Sequence, residues 1–276
     1  MAMNTTIANH PIWGKTLFAD NNTTKIGIPL EFGIRISYLS YKNSENLFYE
    51  QPNDAQELCT PEGFRVRGGH RLWLAPESEK VYYPDNDAIE YEIIENSIIL
   101  RQTEDPWLGV KKSMEITFAG DAEIHICHKV TNTERKLKSF ALWPITSVAP
   151  GGIERIPLRH RENGYDPLHT VTMWDYTNLG DERAAYTREC ITLSHKPLLQ
   201  KYKIGIGHPN GPITYENKGV VFEKSFALDM HAVYPDGGVS FETFMCAQMV
   251  EIESLSPLFE IGYNDSAEFH EIWKLK

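Results

Sequence analysis

The chain of 276 residues holds 38 acidic against 27 basic side chains, a formal charge of −11, with 41% hydrophobic and 24% charged residues. That length is enough to bury a substantial core, and an acidic surplus without a Lys/Arg stripe excludes a nucleic-acid backbone as a partner. The opening MAMNTTIANHPIWGK lacks a basic cluster leading into an apolar run, and no 18 successive apolar residues occur, so a cytoplasmic protein without leader or membrane span is expected.

In chain order, residues 33–39 (GIRISYL), 64–67 (FRVR), 70–75 (HRLWLA), 88–94 (AIEYEII), 97–101 (SIILR), 114–118 (MEITF) and 123–131 (EIHICHKVT) alternate or cluster apolar residues at strand spacing. Turn signals separate them, at Glu95-Asn96, 119–121, 132–134, 209–212 and 235–238. No segment sustains apolar residues at i, i+3, i+4 and i+7 over three turns, so helix should be scarce. A long chain of strands packs two sheets face to face. No linker divides it, so residues 1–276 are expected to form a single all-β domain, a large antiparallel β-sandwich. Cys59, Cys127, Cys190 and Cys246 are scattered without a CxxC pair, which predicts reduced, buried thiols and gives no sign of a metal or a cofactor.

Three stretches and a scattered set of aromatics carry candidate chemistry. In 65–77 (RVRGGHRLWLAPE) an extended strand would turn His70, Leu72 and Leu74 to one face and Arg71, Trp73 and Ala75 to the other, with Gly68 and Gly69 allowing a bend that brings His70 or Arg71 across. In 123–131, His128 shares a face with Ile124, Ile126 and Val130, where a histidine is commonly a hydrogen-bonded core residue, and His125 points to solvent. If 239–257 is extended, Glu251 and Glu253 continue the row of Met245, Ala247 and Met249, and carboxylates on such a face must be paired, at a strand end, or functional. Trp73, Trp107, Trp143, Trp174 and Tyr176, with Asp175 next to Trp174, offer aromatic faces beside polar groups, which suit the CH faces and hydroxyls of a sugar but equally suit a core.

Taken together, 33–39 with Asn46-Leu-Phe48, the block from Arg67 to Glu77, Tyr83-Pro-Asp85, Cys127-His-Lys-Val-Thr-Asn132 and Glu251-Ile-Glu-Ser-Leu-Ser-Pro257 resemble the galactose mutarotase-like superfamily across most of the chain, and most closely a branch with a GGxRLWxAPE block. The resemblance implies a β-supersandwich with a sugar-sized cleft on one concave sheet, a small-molecule carbohydrate as ligand, and aldose 1-epimerase chemistry. That reaction needs a base for the anomeric hydroxyl and an acid for the ring oxygen. It implies Glu253 as the base, with Glu251 second, and His70 as acid or hydroxyl ligand. Arg71, Lys203, Trp73, His128, Trp143, Trp174, Asp175, Tyr176 and Glu242 would bind substrate. Where mutarotases carry a His-Pro-Tyr-Phe-like block for the acid, this chain has Leu142-Trp-Pro-Ile-Thr146, which puts Trp143 in the acid's place. The acid is then missing or comes from His70 or His128. Two alternatives follow: a non-catalytic sugar-binding protein, and a glycoside-processing enzyme using Glu242, Glu251 or Glu253 as an acid and base pair.

Overall fold

The computed structural model describes residues 3–160, 165 and 167–276. Among them are 22 strands and one short 3₁₀ turn, Glu79–Tyr82. All strand pairings are antiparallel, and the strands form sheets of four, ten and eight. The all-β expectation is met, and no helix of the described residues is long and apolar enough to cross a membrane.

Alternation builds the ten-stranded sheet. In Ser266–Leu275 every second residue from Ala267 to Leu275 is buried, and the paired strand Glu123–Asn132 buries Ile124, Ile126, His128 and Val130. Those inward residues pack on the inward face of the eight-stranded sheet, so that Ile126 and Trp273 share one core with Ile204, Phe241 and Ile252. The eight-stranded sheet places Gly69–Ala75, Lys138–Val148, Val250–Ser254, Phe241–Met245 and Tyr202–Ile206 side by side. Its other face carries the cleft described below.

Three predicted elements differ. The run 33–39 breaks at Ser37: Arg35–Ile36 pairs with Gly69–Ala75, whereas Tyr38–Tyr41 pairs with Thr24–Pro29 in the four-stranded sheet. The Ser37 N–H donates to Gly27 O at 2.8 Å at the crossing. Residues 64–67 form no strand, because Arg67, Gly68 and Gly69 all have positive φ and make a left-handed corner. Only glycine fits its last two positions: a Cβ on Gly68 would lie 1.9 Å from Tyr49 O, and one on Gly69 2.3 Å from Ile36 O. Residues 239–257 form a hairpin rather than one extended row, with the turn closed by Cys246 N–H to Met249 O at 3.1 Å, so Met245 faces the core while Glu251 does not. All four cysteines are free, but only Cys246 is buried.

Between the two large sheets lies a sealed polar network. Lys224 Nζ, from the ten-stranded sheet, reaches Glu271 Oε1 at 3.0 Å and crosses to Pro144 O at 3.2 Å, Thr146 Oγ1 at 3.1 Å and Ile252 O at 3.1 Å. Burial opposes a charge on Glu271, yet Lys224 and the two histidines beside it hold its carboxyl well below the usual range. Removing one partner of such a pair strands the other charge, at about 3–5 kcal/mol. Glu271→Gln should therefore lower stability by about 3–5 kcal/mol, read as a reduced urea midpoint with an unchanged slope.

Candidate functional site

On the outer face of the eight-stranded sheet the pleat delivers a second set of side chains. Trp73 and Trp143 are Cα partners on neighbouring strands, as are Arg71 and Ile145, Ser147 and Glu251, and Glu242 and Glu253. Two irregular segments rise over this floor: 58–66, which contributes Leu58, Phe64 and Val66, and the loop carrying Trp174 and Tyr176. Thr177 pins that loop, since its hydroxyl donates to Lys203 O and accepts from Lys203 N–H at 3.0 Å. With Glu77 and Tyr82 on the rim these groups enclose a cleft of about 330 Å³, within the range of small-molecule sites.

The floor is charged in two clusters. In the first, Arg71 Nη1 donates to Glu251 Oε1 and to Ser147 Oγ, both at 3.2 Å, and Ser147 Oγ donates to Glu251 Oε1 at 2.8 Å. The guanidinium lies 4.6 Å from the Trp73 ring centre, a cation–π contact. Both bonds to Glu251 end on Oε1; Oε2 takes none from the described residues and is not among the buried orphan oxygens, so it is open to the cleft. In the second cluster Lys203 Nζ lies 3.1 Å from Glu253 Oε2 and 2.8 Å from Glu242 Oε2, and Trp143 Nε1–H donates to Glu253 Oε2 at 2.8 Å. The ammonium is flanked by the Trp143 and Trp174 rings at 4.5 and 4.6 Å. Burial opposes its charge, but Glu253 and Glu242 outweigh that and raise its pKa, while burial pushes both carboxyls upward.

No family model matches the chain, and no curated protein matches it. Solved structures do. A galactose mutarotase-like protein from Lactobacillus casei superposes at TM-score 0.59 with 11% identity, over 95% of this chain and 100% of that one. The fold is that of the galactose mutarotase-like proteins. A candidate aldose 1-epimerase from Klebsiella pneumoniae gives TM-score 0.63 at 11% identity, over 99% of this chain and 83% of the other. A TPR-domain containing protein from Parabacteroides distasonis gives 0.63 at 14% identity over 95% of this chain, which spans about half (47%) of that longer protein.

Within this mutarotase-like fold the sequence-derived site divides. Arg71, Trp73, Trp143, Trp174, Tyr176, Lys203 and Glu251 line the cleft. Glu242 and Glu253 belong to its floor but are 0% and 1% exposed, covered by Lys203 and the indoles. His70 and His128 are not at the cleft. The glycine corner precedes a regular strand, so His70 faces inward, donating or accepting at Thr146 Oγ1 (2.9 Å) and His128 Nε2 (3.1 Å). Burial lowers the pKa of both rings. Their donor atoms and those of Glu271 lie within 4.8 Å of one another, but Glu271 is already engaged by Lys224, Ser254 and Trp273. Asp175 is exposed and outside the cleft lining. The sequence reading missed Ser147, Phe64, Glu77, Tyr82 and Lys201. Ser147 had a signal, two residues from Ile145 on the face of Trp143; Phe64 and Glu77 lay at the ends of segments already singled out, and Tyr82 and Lys201 sit where no periodicity runs.

Trp143 is therefore both wall and hydrogen-bond donor. Trp143→Phe keeps an aromatic face, though a smaller one, and deletes the donor to a buried carboxylate oxygen, and should cost about 1–3 kcal/mol in denaturant unfolding. A loss near zero would mean that Lys203 alone satisfies Glu253.

Proposed function

We propose that the cleft binds a carbohydrate. The observation that carries this reading is the juxtaposition of indole faces at Trp73, Trp143 and Trp174 with an Arg71–Glu251 pair whose carboxylate is open to the cleft. Aromatic faces stack on the apolar CH faces of a pyranose, and a guanidinium beside a carboxylate supplies both donors and an acceptor for vicinal hydroxyls. Calorimetry or saturation-transfer NMR against a panel of neutral and acidic monosaccharides and disaccharides tests it. Trp73→Ala and Arg71→Ala should each weaken binding about tenfold or more, equivalent to about 1.4 kcal/mol. No saturable binding by any sugar in the panel would sink the reading.

A second reading, aldose 1-epimerase activity, is favoured by one detail: the free oxygen of Glu251. A base must come within hydrogen-bond reach of the anomeric hydroxyl, directly or through one water, and Glu251 opens to the cleft where Glu253, sealed by Trp143 and Lys203, does not. On this reading Glu251 replaces Glu253 as the base, and Lys203 or Tyr176, both in the cleft lining, faces the ring oxygen. Glu251→Gln should reduce catalysed exchange between α and β anomers, followed by NMR, by about 10²-fold or more. Binding without exchange in the wild-type chain would leave the sugar-binding reading and remove the enzymatic one.

A further inference from the structure

The hairpin Phe241–Met245 and Val250–Ser254 places Glu242 and Glu253 directly opposite each other, where Cβ atoms are about 4.5–5.5 Å apart and like charges repel. Both side chains are sealed from solvent. One cation serves the two of them: Lys203 Nζ touches an oxygen of each. Glu253 Oε2 also accepts from Trp143 Nε1–H, whereas Glu253 Oε1 and both oxygens of Glu242 have no aligned hydrogen-bond donor. Two carboxylates and one ammonium leave an uncompensated buried negative charge beside three orphan acceptors, an arrangement that burial strongly disfavours.

We infer that Glu242 and Glu253 hold one proton between them at neutral pH, Glu253 as the carboxylate and Glu242 as the acid, and that this neutral unit fixes Lys203 in the cleft. A single hydrogen between the two carboxyls gives Glu253 Oε1 a donor and Glu242 an acceptor at once. It also balances the charge of Lys203. An ammonium has three N–H donors; one bonds Glu253 Oε2 at 3.1 Å while the contact with Glu242 is one of charge, which leaves donor capacity for a ligand between Trp143 and Trp174. Glu242 is thus a positioning residue that acts through Lys203.

The groups around the pair agree with this assignment. Glu251 on the same hairpin, Tyr176 from the covering loop and Asp236 add no cation; from the opposite sheet come Glu154, itself pushed up to about 8 by burial, and the more distant Lys224. A carboxyl whose folded pKa lies above its ordinary value contributes stability that is fully present below that ordinary value, about 4.3, and is lost as pH rises towards the folded one. Ionisation of Glu242 would set two anions on Lys203 and loosen the site on the alkaline side.

The test is carbon-13 NMR of the full chain labelled at glutamate carboxyls, at neutral pH. Glu242→Gln should fold, because the amide mimics a protonated acid, and should remove one protonated-carboxyl resonance, distinct from the one assigned to Glu154 through Glu154→Gln. Glu253→Gln should also remove one, since Glu242 then ionises against Lys203. Melting temperature should fall from neutral to about pH 9 more steeply in the wild type than in Glu242→Gln. Retention of every protonated resonance in whichever variant folds, equal pH slopes, or failure of both variants to fold would each overturn the inference. Sugar affinity is not the readout, so the fate of the carbohydrate reading is decided separately.

Discussion

The pleat of the eight-stranded sheet sorts its ionisable residues into two sets that never meet. Successive residues of Gly69–Ala75 point to opposite faces, so His70 joins the interior with Thr146, His128, Glu271 and Lys224, while Arg71 joins the cleft with Ser147 and Glu251. A shift of one residue would exchange the sets and put an arginine between the sheets. Register is held by the corner at Arg67, Gly68 and Gly69 and by Lys224, whose ammonium ties the carbonyls of Pro144 and Ile252 to the opposite sheet. The cleft depends on those anchors although none of them touches it.

Charge is handled differently on the two sides. The interior network balances Lys224 with Glu271, and burial lowers the pKa of both histidines beside them. The cleft side has more carboxyl groups than cations within reach, with Glu242, Glu251 and Glu253 against Arg71 and Lys203. Arg71 and Glu251 balance at the cleft surface; Lys203 also reaches the cleft, but its two carboxyl partners lie where water cannot reach. That asymmetry explains why the accessible carboxylate is Glu251, and why the residue that resemblance alone would make the base is spoken for by Trp143 and Lys203.

Regular strands were legible from alternating or clustered β-branched residues, as in Glu90–Ile94, Ser97–Arg101 and Glu123–Asn132, which meet at short turns. The inward direction of His128 and the opposition of His70 to Arg71 followed from the two-residue period of a strand. Several short polar blocks that carried the resemblance are architectural. Asp85 accepts from buried Arg35 at 2.7 Å, Asn46 Oδ1 accepts from the N–H of Leu39 and of Phe48, and Asn132 Nδ2 donates to Lys136 O and Ile261 O. Ser256 Oγ accepts from Leu142 N–H at 2.8 Å. Such polar groups close corners where backbone leaves the ladder, and a corner looks like a site when only residue types are visible. The turn inside 239–257 carries neither Gly nor Pro, so nothing local announced that Glu242 would be folded back onto Glu253.

The cleft has a floor and walls of different construction. Its floor is ladder-bonded strand, in which each backbone group is committed to a neighbour; its walls come from 58–66 and the Trp174 loop, which outside single bridges stand on a few side-chain bonds such as those of Thr177. Loops of this kind accept insertions and deletions that strands reject. The polar chemistry of the cavity is therefore tied to the survival of the fold, while the outline of what fits is free to change with the covering segments.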